Sequence, residues 1–114
     1  MSTIYKLLSA DSWAAARVAG AFEGSAVDLA DGFIHFSSGE QAQETAAKWF
    51  AGQDDLLLLT VEIDDADPAL RWEASRGGAL FAHLYRPLRT DEVTAERPLA
   101  LDAVGAPIIG ELSA

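Results

Sequence analysis

Cysteine is absent from the 114 residues of this sequence. That absence excludes disulfides, thiolate catalysis and every cysteine-ligated zinc or iron–sulfur site. The sequence also lacks a run of about 18 apolar residues, the length that a membrane-spanning helix needs. Its amino terminus, MSTIYKLLSADSW, has no signal-peptide pattern. We therefore expect a soluble, cytoplasmic protein without a membrane partner.

Positive charge is scarce, because 8 basic and 18 acidic side chains give a formal net charge of −10 at pH 7. Affinity for a nucleic-acid backbone comes from clustered lysine and arginine, so the composition argues against duplex DNA as a partner. Residues 71–97 nevertheless hold five arginines and four carboxylates. Arginine's planar fork suits phosphate and pyrophosphate, so Arg76 and Arg86 are candidate ligands of a small anion. The alternative is that these arginines are only solvated.

The hydrophobic pattern predicts two helices in a single domain, residues 1–114. Half of the residues are hydrophobic, which is enough for one core. SADSWAAARVAG, residues 9–20, is typical of a helix that ends at a glycine. EQAQETAAKWFAG, residues 40–52, follows Ser38, which lies three residues before Gln41 as in a capping box. Residues 21–31 have no clear period, and we predict a loop there.

The remaining apolar segments predict strands. They are TIYKLL (3–8), DGFIHFSS (31–38), DDLLLLTVEIDD (54–65), LRWEA (70–74), ALFAHLYRPL (79–88) and, more weakly, TAERPLALDAV (94–104). The four leucines in 54–65 favour a central strand, and Gly77-Gly78 favours a turn. The order predicts an α+β domain with two helices packed on a mainly antiparallel, split sheet of five to seven strands.

The sequence has only two histidines, and both stand in predicted strands. Successive side chains of a strand point to opposite faces, so Phe33, His35 and Ser37 are expected to share one face. By the same rule His83 and Tyr85 share a face. A neutral imidazole offers one donor and one acceptor, which suits a ribose diol, and a neighbouring hydroxyl can orient it. The alternatives are that the histidines are structural and that Ser37 only ends its strand.

A carboxylate near such a site would add glycosidic chemistry. An oxocarbenium-like centre needs a nearby carboxylate, and an aromatic face can hold a cationic nicotinamide ring. Glu73 is the candidate carboxylate, with Trp72 or Tyr85 as the aromatic residue. The alternatives are that Glu73 only pairs with an arginine and that the tryptophans, Trp13 and Trp49 included, belong to the core.

Several of these segments together resemble the small bacterial family catalogued as domain of unknown function 952. They are IYKLL, a tryptophan in the first helix, DGFIHFSS followed by Gln41, DLLLLTVEID, RWE and FAHLY, within residues 4–99. The resemblance implies a fold similar to ADP-ribosyltransferases, which bind NAD in a cleft between two small sheets. In that superfamily an early strand touches the ribose and a later strand often supplies a carboxylate. FAHLYR departs from the family pattern, since Ala82 and Arg86 replace its usual proline and glycine.

Carried onto this chain, the resemblance implies a site for NAD or an ADP-ribose-like nucleotide, with NAD as the candidate cofactor. His35 matches the early-strand position with Ser37 beside it, Tyr85, Arg76 and Arg86 are further candidate ligands, and Glu73 and His83 are the candidate catalytic residues. Two alternatives stay open: a non-catalytic module for another small anion or a protein, and a metal-dependent hydrolase. Because no HxH or HExxH spacing occurs, we expect no metal site.

Overall fold

The computed structural model describes residues 1–75 and 78–112, and within them it has three α-helices and eight strands. The helices are α1 Ala10–Ala19, α2 Ala26–Asp31 and α3 Gly39–Trp49. The strands are β1 Ser2–Ser9, β2 Ala21–Phe22, β3 Ile34–His35, β4 Leu56–Ile63, β5 Leu70–Ala74, β6 Leu80–Leu84, β7 Leu88–Arg89 and β8 Val93–Pro98. The predicted α+β class is confirmed, but the described residues form three α-helices and eight strands where two helices and five to seven strands were expected.

The strands form three small sheets, ordered β1-β4-β8, β2-β7 and β3-β6-β5. Every strand pair among the described residues is antiparallel, as predicted for most of the sheet. The leucine-rich β4 is the central strand of its sheet, also as predicted. The first and third sheets meet where Tyr5 and Ser37 exchange backbone hydrogen bonds of 2.8 and 2.9 Å. This junction places β1 next to the segment that carries β3.

The interior consists of two apolar clusters. The larger one contains Ile4, Leu8, Trp13, Ala16, Phe22, Ile34, Phe36, Leu59, Val61, Ile63, Ala82, Leu84 and Leu88. The smaller one, between β1, β4 and α3, contains Tyr5, Leu7, Ala42, Ala46, Leu56, Leu58, Leu99 and Ile109. Only Trp13 of the three tryptophans is buried, since Trp49 is 53% and Trp72 41% exposed. The alternative that the tryptophans belong to the core therefore holds for Trp13 alone, because Trp49 ends a helix and Trp72 lies on an edge strand.

The loop predicted for residues 21–31 is instead a short strand followed by α2. Ser25 caps this helix: its backbone N–H donates to Asp28 Oδ2 at 2.9 Å, and the N–H of Asp28 donates to Ser25 Oγ at 3.5 Å. The helix ends at Asp31 and is capped by Gly32, whose φ of 87° lies in the left-handed region that glycine adopts without strain. A helix of six residues has fewer than two turns, so hydrophobic periodicity cannot reveal it.

Two other predicted strands differ from the structure. The strand expected in 31–38 contracts to β3, and the one expected in 79–88 splits at Pro87 into β6 and β7, which belong to different sheets. The Ser38 cap is confirmed, since its N–H donates to Gln41 Oε1 at 3.0 Å. The proposed turn includes Gly77, which lies outside the described residues. Among the described helices, none has the length and apolar character to cross a membrane.

Candidate functional site

The register of the third sheet brings the two histidines together. His35 pairs with His83 across β3 and β6, and His83 pairs with Arg71 across β6 and β5. Residues directly opposite each other on neighbouring strands point to the same face, so the three side chains form one row. The two imidazole centroids are 5.4 Å apart. The two histidines, 48 residues apart in the sequence, thus lie side by side on adjoining strands.

Two aromatic side chains complete this surface. Phe33 stacks on the His83 ring at 4.1 Å with an interplanar angle of 24°, and it also lies 5.0 Å from the Tyr85 ring. His83 is only 5% exposed, whereas the His35 side chain is 34% exposed. We call the surface formed by Phe33, His35, Arg71, His83 and Tyr85 the histidine face. It is open to solvent at His35 and closed at His83.

The short helix α2 holds the His35 ring from both sides. His35 Nδ1 lies 2.6 Å from Asp28 Oδ1, and His35 Nε2 lies 2.9 Å from Asp31 Oδ2. The His35 backbone N–H also donates to Asp28 Oδ1 at 3.1 Å. Asp28 is buried, but the Asp31 side chain is 50% exposed. One contact of the ring is therefore internal, and the other faces solvent.

Asp28 is also the partner of a buried lysine. Lys6 Nζ donates to the two carboxylate oxygens of Asp28 at 3.2 and 3.0 Å and to the His35 carbonyl oxygen at 2.9 Å. Burial lowers the pKa of Lys6, although Asp28 opposes that effect. Burial would raise the pKa of Asp28, but Lys6, the Ser25 N–H and His35 together hold it below its ordinary value. Asp28 is thus a carboxylate at neutral pH and ties β1, α2 and β3 together.

Glu73 holds the second histidine. Its Oε1 accepts a hydrogen bond from the Tyr85 hydroxyl at 2.6 Å and lies 2.8 Å from His83 Nδ1. The Tyr85 hydroxyl, followed by His83, lowers the pKa of Glu73, and the bond to Glu73 raises the pKa of Tyr85. At neutral pH the pair is therefore a carboxylate and a neutral phenol. The Glu73 side chain remains 36% exposed, so a ligand can reach it.

Arg71 supplies an available cation at the edge of the histidine face. Its guanidinium carbon lies 4.8 Å above the Tyr85 ring, within cation–π range. Arg71 is exposed and forms no ion pair with any carboxylate in the described part of the chain. Its planar fork can therefore receive an anion without breaking an ion pair, while the guanidinium keeps its contact with Tyr85 and its charge acts on nearby Glu73.

Two of the predicted ligands, Ser37 and Arg86, do not join this surface. Ser37 is buried, and its hydroxyl lies 2.9 Å from Thr45 Oγ1 of α3. Because β3 ends at His35, the strand alternation does not carry Ser37 onto the face of His35. Arg86 Nη2 lies 2.8 Å from both Asp67 Oδ2 and Glu92 Oε2, so its fork is already occupied. Arg76 lies outside the described residues.

Two further observations bear on what the surface can bind. Within residues 1–75 and 78–112, no three histidine, aspartate or glutamate side chains are grouped to hold a metal ion. Two open surface grooves, of about 350 and 410 Å³, lie elsewhere, and neither is lined by a histidine. The solvent-facing imidazole of His35 and the guanidinium of Arg71 lie on the histidine face and line neither groove.

Sequence reasoning missed five side chains of this region. They are Lys6, Asp28, Asp31, Phe33 as a stacking partner, and Arg71 as a singled-out ligand. Two signals were present: a lysine inside the apolar run IYKLL, which needs a partner once buried, and the spacing of Ser25 and Asp28, which matches a capping box. Neither signal says that the lysine and the aspartate meet.

Comparison with known proteins finds one matching protein family and solved structures of a similar protein. The family model described as "Protein of unknown function (DUF952)" matches residues 7–96. The crystal structure of protein CC0527 from Caulobacter crescentus is 64% identical to the chain, with 96% of each chain covered and a TM-score of 0.92. The solution NMR structure of the same protein is 64% identical, covers 96% of this chain and 95% of that one, and has a TM-score of 0.87. No curated protein matches the chain.

Proposed function

We propose that this chain, which belongs to the DUF952 family, binds a nucleotide such as NAD or ADP-ribose on the histidine face. One observation carries this assignment: a solvent-facing imidazole and an unpaired guanidinium flank His83 on the two neighbouring strands. Two strand spacings put His35 and Arg71 about 10 Å apart. A ribose with its 5′-diphosphate can bridge that span.

Each side chain has a role suited to its position. The outer edge of His35, where Asp31 Oδ2 lies 2.9 Å from Nε2, meets a ribose hydroxyl that shares or replaces this contact, and such a bond contributes about 0.5 to 1.5 kcal/mol net. Arg71 binds phosphate through its fork. Tyr85, which is 39% exposed, provides the part of its ring that Arg71 does not cover for the base or the nicotinamide.

We assign Glu73 and His83 as the pair that would act on a glycosidic bond. A carboxylate stabilises an oxocarbenium-like centre, and the low pKa of Glu73 keeps it charged. His83 lies beneath Phe33, so it acts by orienting Glu73 and not by direct contact with substrate. The separation of the strands into small sheets supports the ADP-ribosyltransferase-like fold that the family resemblance implies.

The test is a titration of the whole chain with NAD and with ADP-ribose. Calorimetry and NMR of the backbone amides monitor the binding. We expect saturable binding, with shifts centred on β3 and β5. His35→Gln and Arg71→Gln should each weaken binding by about fivefold or more. Arg17→Gln is the matched control and should leave binding unchanged. Arg17 is an exposed arginine of α1 outside the histidine face, and its ion pair with Glu96 is long, at 3.9 Å.

Two outcomes would contradict the assignment. One is the absence of any shift at about 1 mM ligand with folded protein, and the other is binding that neither His35→Gln nor Arg71→Gln affects. Release of nicotinamide from NAD, measured in the same samples with Glu73→Gln as the comparison, tests the catalytic role separately.

A second candidate is a module for another small anion, and the unpaired Arg71 favours it. This function predicts that pyrophosphate binds as tightly as ADP-ribose. It also predicts that Arg71→Gln abolishes binding while His35→Gln leaves it unchanged. The same titrations with pyrophosphate therefore separate the two candidates.

A further inference from the structure

Asp31 occupies the outer edge of His35, at the point where a ligand would approach. Its Oδ2 lies 2.9 Å from His35 Nε2, and half of its side chain is exposed. Asp31 is the last residue of α2, and Gly32 turns the chain directly after it. The helix end thus presents a carboxylate to solvent beside the imidazole. Sequence reasoning from strands alone does not assign a role to this residue.

We infer that Asp31 makes the histidine face select an adenosine ribose whose hydroxyls are free and reject one that carries a 2′-phosphate, with the nicotinamide end of the dinucleotide lying beyond Arg71, towards Tyr85 and Glu73. This inference rests on the proposed function. A carboxylate accepts hydrogen bonds from hydroxyl groups, and a ribose diol offers two of them. A phosphate brings negative charge and has no comparable donors, so it is repelled at the same place. Dinucleotide-binding domains of another fold use an acidic residue on the 2′-hydroxyl in the same way.

The charges around His35 support this selectivity. Asp28, from the same helix, lies on the inner side of the ring, and its charge is balanced by Lys6, which is itself 6% exposed. Lys6 therefore offers no cation to a ligand at the outer edge. From the other strands, His83 is covered by Phe33 and Glu73 adds a further negative charge.

Arg71 is then the cation available to a phosphate, two strands away from His35. The ligand is oriented by this separation of charge. Its ribose hydroxyls lie at Asp31 and His35, and its phosphates lie at Arg71. A second phosphate on the ribose would have to sit at the acidic end.

The experiment compares NAD with NADP by calorimetry on the full chain. We expect the wild-type protein to bind NAD about tenfold or more tightly than NADP. Asp31→Asn keeps an acceptor but removes the charge, so the preference should shrink to about threefold or less, mainly through tighter NADP binding. Asp54→Asn, at an exposed carboxylate outside the histidine face, should leave the preference unchanged.

The outcomes separate this inference from the function on which it rests. If both dinucleotides bind equally well, or if Asp31→Asn leaves the preference as it is in the wild type, the role of Asp31 is wrong and the nucleotide site stands. If neither dinucleotide binds folded protein, the proposed function is wrong and the role of Asp31 falls with it. Thermal melting of Asp31→Asn confirms that the variant folds, since half of this side chain is in solvent.

Discussion

Replacement of Asp28 by asparagine is the sharpest test of how the site is held. Asp28 is 2% exposed. Its carboxylate accepts hydrogen bonds from Lys6 Nζ and from the backbone N–H groups of Ser25 and His35, and it also contacts Nδ1 of the His35 ring. Asparagine has nearly the same shape but no charge. The substitution therefore leaves the ammonium group of Lys6 buried without its counter-ion.

The expected loss follows from that unpaired charge. Removal of one partner of a buried ion pair costs about 3 to 5 kcal/mol, because the remaining charge is not solvated. Lys6 still donates to the His35 carbonyl oxygen at 2.9 Å, which favours the lower end of that range. We expect the free energy of unfolding to fall by about 3 kcal/mol. For a domain of this size that corresponds to a melting temperature about 12 °C lower.

The measurement is urea unfolding followed by circular dichroism, with thermal melting alongside. The double variant Lys6→Met with Asp28→Asn should be more stable than Asp28→Asn alone, because it removes the unpaired ammonium group. Glu44→Gln is the control, since its ion pair with Lys48 is exposed and its loss should not be measurable. A cost below about 1 kcal/mol for Asp28→Asn, or no recovery in the double variant, would refute the reasoning.

Three more predictions concern pH and the neighbouring contacts. Because the pKa of Asp28 is lowered in the folded protein, its stabilising effect is complete above pH 3.8 and is lost as the pH falls through the folded pKa. Acid unfolding should show this loss of stability. An equally steep loss of stability with falling pH in Asp28→Asn would contradict the prediction. Tyr85→Phe should raise the pKa of Glu73 towards its ordinary 4.5, and an unchanged value by NMR titration would argue against the contact. Arg86→Met should lower the unfolding free energy by about 1 to 3 kcal/mol in urea, since Glu92 is 8% exposed, and should leave nucleotide affinity within about twofold. Weaker nucleotide binding by Arg86→Met would show that Arg86 does belong to the ligand-binding residues.

Much of the site could be predicted from strand alternation. The segments around His35 and His83 have β patterns, and alternation correctly placed Phe33 with His35 and His83 with Tyr85 on shared faces. The same rule failed at Ser37, because β3 ends two residues earlier and the next residues turn into α3. Alternation is a local rule, so it holds only as far as the strand does.

The pairing of Lys6 with Asp28 could not be predicted in the same way. Each residue carries a local signal, but their contact depends on how α2 lies against β1 and β3. A six-residue helix has little periodicity of its own, and its position is set by the capping bonds and by the core beneath it. The role of Asp31 at the outer edge of His35 depends on the same placement.

By itself, the sequence determined the α+β class, the central strand β4, the helix α3 with its cap and the face on which each histidine lies. These features depend on short-range rules of periodicity, capping and turn formation. Only the tertiary structure decided which strands pair, so it alone placed Arg71 beside His83 and left its guanidinium unpaired. It alone also put two carboxylates on His35 and closed the fork of Arg86. Register and burial are properties of the packed chain, since they depend on contacts between residues that are far apart in sequence.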